Sequence, residues 1–68
     1  MNVARFEMGQ KFSSRKIDGL TAEVVRLLDD GRDAELALRQ DGVLLRKQSA
    51  KSKFAHFLNY WTLVGIGI

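Results

Sequence analysis

The central third of the chain alternates. Ala34, Leu36 and Leu38 are separated by Glu35, Ala37 and Arg39, the period-two pattern of a strand with one face in a core. On each side lies a turn signal, Asp29-Asp30-Gly31 before and Gln40-Asp41-Gly42 after. Both suit a short hairpin loop, a type I turn followed by a glycine at the positive-φ position of a bulge. Val43 to Gln48 then reads as the hairpin partner, and Thr21 to Leu28 as the strand before.

A second reading competes for that earlier segment. Leu20, Val24, Leu27 and Leu28 fall at i, i+4, i+7 and i+8, one face of a helix. Thr21 supplies a cap and Gly31 a left-handed stop. The meander is preferred because it uses more of the chain, and because the β-branched Val24 and Val25 suit a pleated surface. The expected fold is all-β, a small five-stranded barrel. A helix over 20–30 would make it α+β.

The flanks complete the pattern. Phe54, Phe57 and Leu58 in KFAHFLN make a single helical turn with one apolar side. Tyr60 to Val64 is a strand of β-favouring residues. Gly65 and Gly67 loosen the end, so residues 65–68 are either an extension of that strand or an apolar tail that docks elsewhere. Phe6 to Ser14 is extended, with Gly9 bending it.

Composition sharpens this in three respects. At 68 residues the chain is one domain, near the lower limit for folding without a staple. It has no cysteine, so there is no disulfide, and its one histidine, His56, leaves a structural zinc site without ligands. Proline is also absent, so aspartate and glycine must set the turns.

MNVARFEMGQK has neither a long apolar core nor a small-residue cleavage site, unlike a secretory signal. The most apolar run, Tyr60 to Ile68, is far shorter than the roughly 20 residues of a spanning helix. A cytoplasmic chain with no membrane partner is the expectation.

Charge is unevenly placed. Residues 1–17 carry +3, residues 18–42 carry −4, and residues 43–68 carry +4 from Arg46, Lys47, Lys51 and Lys53 with no acid. If the two basic ends meet, they form one positive face. Arg15 and Lys16 fall in the first long loop. The later four cations surround Ser49 and Ser52 in RKQSAKSK. Cations on loops beside hydroxyls suit phosphate contacts, although basic loops also keep small proteins soluble and discourage edge pairing.

Phe12, Tyr60 and Trp61 are the candidates for stacking on bases or for contact with a protein partner. In alternation one of Tyr60 and Trp61 points inward and the other outward. Phe6, Phe54 and Phe57 are assigned to the core. His56 has no nucleophile pattern around it and is read as an exposed or capping residue. Asp29, Asp30, Asp33 and Glu35 lack the spacing of a calcium loop, so turn chemistry and solvation account for them. No catalytic constellation, metal site or cofactor motif is present, and the chain is read as a non-enzymatic binding module.

The order of pieces carries a resemblance. GQKF, a basic irregular stretch, TAEVVRLLDDG, DAELALRQDG, VLLRK, the turn FAHFL and the closing YWTLV together resemble a small SH3-like barrel of the KOW and Tudor type, as encoded by many phages and mobile elements. The resemblance spans roughly residues 6–64 and rests on turn glycines and a closing aromatic-aliphatic strand. It implies five short strands around one core, with loops that bind nucleic acid or a peptide. The fold also hosts a plasmid-borne dihydrofolate reductase built from four copies, but the active-site strand of that family is not matched. Two functions follow as expectations. One is binding of DNA or RNA with little sequence discrimination. The other is a protein-interaction module or small regulator, with homodimerisation through the apolar end left open.

Overall fold

The computed structural model describes residues 5–67. It contains five strands, β1 (Gln10–Ser14), β2 (Leu20–Leu28), β3 (Asp33–Gln40), β4 (Val43–Ser49) and β5 (Trp61–Ile66), with one helical turn, α1 (Phe54–Phe57), before β5. All pairings are antiparallel and the strand order is β4-β3-β2-β1-β5. The fold is therefore all-β, as the alternation predicts. The edges are β4 and β5, and α1 links them.

The segment that resembles a helix is β2, and the register explains the resemblance. Leu20, Ala22 and Val24 pair with Gln40, Leu38 and Leu36, but the register then shifts and Leu27 pairs with Ala34. Val25 is the extra residue of a bulge. By register the core-facing side of β2 is Leu20, Ala22, Val24 and Leu27, although Leu27 is 39% exposed, and the step of three after Val24 imitates helical spacing. Two more bulges follow the same rule. Leu45 is the extra residue between β3 and β4, and Val64 the extra residue between β1 and β5. A bulge bends its strand and increases its twist, which curls a five-stranded sheet around one core.

The turns differ from expectation in detail. Asp41 and Gly42 both have positive φ, 52° and 86°, and Gln40 pairs with Val43. That is a two-residue loop with the mirror-image type I′ sign, whose twist matches the strands it joins. At the other turn Asp29, Asp30 and Gly31 all have positive φ, so no type I turn precedes the glycine there. Aspartate tolerates this conformation better than most residues because its short polar side chain bonds locally.

The core is built on four phenylalanines. Phe6, Phe12, Phe54 and Phe57 are buried and meet edge to face, with centroids 4.9 Å apart for Phe12 and Phe57 and 5.1 Å for Phe6 and Phe54. Such pairs contribute about 0.5–1.5 kcal/mol beyond area burial. Ala22, Val24, Ala34, Leu36 and Leu38 supply the sheet's side of this cluster. The Phe6 amide donates to the Gly31 carbonyl at 2.8 Å, which ties the chain before β1 to the β2–β3 turn. Residues 65–67 are not a free tail. Gly65 and Ile66 belong to β5, and the Gly67 amide donates to the Gly9 carbonyl at 2.7 Å. Ile68 lies outside the described residues.

Candidate nucleic-acid interface

The loop that carries Arg15 and Lys16 is fixed at both ends. Ser14 Oγ accepts from the backbone amides of Lys16 and Ile17, at 3.1 and 2.9 Å, a local turn that serine hydroxyls favour. The Arg15 amide donates to the Tyr60 carbonyl at 2.9 Å. The loop therefore starts beside the junction of α1 and β5. Lys16 Nζ lies over the Tyr60 ring, 5.0 Å from its centroid, within the range of a cation–π contact.

Tyr60 and Trp61 divide as alternation requires. Trp61 pairs with Ser14 and stacks on Phe57, with centroids 5.4 Å apart and planes 4° from parallel. It is half-buried. Tyr60 precedes the strand and is exposed, with His56 edge-on at 5.5 Å. His56 is exposed as well. These three rings border a recess of about 260 Å³ whose floor is Leu36, Leu38 and Phe57, and whose opposite wall is Gln48 of β4. The recess occupies the gap between the two ends of the sheet.

Arg46 reaches the same wall. It pairs with Leu38 and Gln48 pairs with Leu36, so both belong to the core-facing side of the sheet's edge. Arg46 Nε donates to Gln48 Oε1 at 2.7 Å. Arg46 and Lys16, thirty positions apart in sequence, thus each contact a residue that lines one recess.

The remaining predicted cations separate. Lys47 pairs with Ala37 and takes the outer side of the sheet. Lys51 has φ of 58°, and its amide donates to Asp33 Oδ1 at 3.3 Å. Lys53 precedes α1 and shares a recess of about 470 Å³ with Arg5, Arg32, Asp29 and Asp33. Lys51 and Lys53 therefore lie near the acidic turn, and among the described residues neither ammonium is paired with a carboxylate there. Phe12 is a correction. It is completely buried among the other phenylalanines, so its ring is not available for stacking on a ligand.

Sequence reasoning missed Lys11 and Arg39. Lys11 pairs with Glu23, Glu23 with Ala37 and Ala37 with Lys47, a row across the outer face. Arg39 pairs with Thr21 and lines a shallow groove on that face with Lys11 and Glu23. Alternation alone puts each outside, but only the register brings them together.

Among the described residues, the ion pairs are Arg5–Asp30 at 3.4 Å, Arg32–Asp29 at 3.9 Å and Arg26–Glu35 at 4.0 Å. All three engage acids of the 18–42 segment. Lys11, Arg15, Lys16, Arg39, Arg46, Lys47, Lys51 and Lys53 take part in none of them. Among these residues no group of three or more acids or histidines is placed to hold a metal ion. No helix among them is long and apolar enough to cross a membrane.

Compared with known protein families, characterised proteins and solved structures, the chain has no match.

Proposed function

We propose that this chain is a small SH3-like module that binds single-stranded nucleic acid with little sequence discrimination. The observation that carries the reading is that Lys16 contacts Tyr60 and Arg46 contacts Gln48, two residues that line one recess together with Trp61. Phosphates need cations that are not already neutralised, and bases need an accessible π-face beside them. Lys16 and Arg46 are in no ion pair among the described residues, and the exposed Tyr60 lies beside Lys16. A single strand offers unstacked bases to such rings, whereas a duplex offers only its backbone. The strand order, with β1 between β2 and β5 and a helical turn leading into β5, supports the SH3-like assignment. An origin in a phage or mobile element fits the resemblance and the size, and a cytoplasmic setting fits a cysteine-free chain that binds nucleic acid.

The test is a titration against short single- and double-stranded DNA and RNA at low and moderate salt. Binding that favours single strands, fades as salt rises and is weakened by a Lys16→Ala, Arg46→Ala double variant supports the proposal. Absence of binding at low salt overturns it. A protein partner docked through exposed apolar side chains is then the reading to pursue, because that contact survives salt.

A further inference from the structure

The two edges of the sheet are unequal. β4 begins with the exposed Val43, Leu44 and Leu45 but continues into Arg46 and Lys47. Lysine and arginine on an edge strand discourage pairing with another chain, because a second strand would have to desolvate or oppose them. β5 has no charged residue, and its one edge device is the bulge at Val64. Its six residues, WTLVGI, include no charge and no proline, and Leu63, Val64 and Ile66 are 43%, 63% and 55% exposed. Met8, 54% exposed, lies beyond the end of the strand, where residues 8–9 meet Gly67.

We propose that β5 pairs with β5 of a second copy of this chain, antiparallel across a two-fold axis, to give a dimer with a continuous ten-stranded sheet. Four observations select that occupant. First, the strand is free of charge, so an antiparallel copy opposes no like charges in any register, and the free peptide groups of the edge find partners. Second, the same arrangement at β4 would bring Arg46 and Lys47 of two copies into one interface. Third, pairing β5 with β4 would be head-to-tail and would give a ring or an open filament according to its rotation, whereas a two-fold contact closes with two copies. Fourth, the core formed by the described residues is small. It holds ten apolar side chains, three of them alanine, and the chain has no disulfide. Association is a common means by which unstapled chains of this size complete their cores. Trp61 at the start of β5 borders the Lys16–Arg46 recess, so the two surfaces adjoin there, whereas Leu63, Val64 and Ile66 are not among the residues that line it.

The experiment is sedimentation equilibrium of the whole chain from low to high micromolar concentration, with circular dichroism as the check on folding. The expected result is an average mass that rises to twice the monomer mass and stops there. Val64→Lys, at a side chain that is mostly in solvent, should hold the mass at that of a monomer with an unchanged spectrum. Ile66→Lys is an independent repeat of the same test. Leu44→Lys on the opposite edge should leave the dimer intact. A wild-type chain that stays monomeric overturns the proposal. So does mass that grows without limit, or a dimer that Leu44→Lys abolishes and the β5 variants do not. Oligonucleotide binding is not part of the readout, so this result stands apart from the proposed function.

Discussion

The backbone amide of Asp41 donates to the carbonyl of Gly19 at 3.0 Å, closing the β3–β4 turn onto the end of the β1–β2 loop. Gln40 Nε2 adds a second bond to the Asp18 carbonyl at 2.9 Å. Two of the three Asp-Gly pairs in the sequence therefore meet in space. Gly19 has φ of +80°, and a Cβ there would run into the Asp41 carboxylate and the Gln40 amide. Gly42 has a similar φ, +86°, but open space around it.

The two glycines should therefore respond differently to alanine. Gly42→Ala carries only the left-handed backbone penalty, about 1 kcal/mol. Gly19→Ala adds displacement of the side-chain ends of Asp41 and Gln40 and the loss of the Gln40–Asp18 bond, for a total of about 2 kcal/mol. Urea unfolding of both variants measures the difference, and equal losses would contradict the contact between the turns.

Phe12 separates packing from binding. Truncation of a buried phenylalanine to alanine costs about 3–5 kcal/mol. Domains are stable by roughly 0.05–0.15 kcal/mol per residue, so a chain this short has little to spare. Phe12→Ala should be largely unfolded by circular dichroism at physiological temperature. Phe12→Leu should remain folded, with a lower melting temperature and unaltered affinity for oligonucleotides. Selective loss of affinity in that folded variant would return Phe12 to the binding surface.

Asp33 anchors the end of β4. Its Oδ1 accepts from the Ala34 amide at 2.7 Å and from the Lys51 amide at 3.3 Å, where the backbone turns through a positive φ. Asp33→Ala should cost about 1 kcal/mol, the ordinary net value of a side-chain hydrogen bond. It should also speed hydrogen exchange at the Lys51 amide, measurable by NMR. Unchanged protection there would mean that the turn holds without the carboxylate.

What the sequence disclosed and what it hid follow from the range of the interactions involved. β3 was legible because alternation is a local property and its flanking turns use residues with a local reason to be there. β2 was ambiguous because the bulge at Val25 inserts a step of three into a period of two, and a bulge is set by the partner strand. The inward Trp61 and outward Tyr60 were foreseen as a pair but not individually, since the choice depends on where Phe57 stands. The basic run at 46–53 read as one cluster, yet Arg46 and Lys47 face opposite ways and Lys51 and Lys53 lie beyond the end of β4, near the acidic turn. Charge counted along the chain could not anticipate that division, because it depends on the strand face or turn that each residue occupies.

The division makes the last prediction quantitative. Removing a cation that engages one phosphate should flatten the dependence of log affinity on log salt by about 0.7 for single strands. Lys16→Ala and Arg46→Ala should each show that change, together with weaker binding at every salt concentration. Lys51→Ala and Lys53→Ala should change the slope much less, because those side chains are not held against Tyr60 or Gln48 as Lys16 and Arg46 are. Tyr60→Ala should weaken binding while leaving the slope unaltered, since a stacking ring releases no counterion. Fluorescence titrations of the five variants at several salt concentrations separate these outcomes. If Lys51 and Lys53 were to dominate the slope, the interface would lie at the acidic turn and α1, and not at the recess between Lys16 and Arg46.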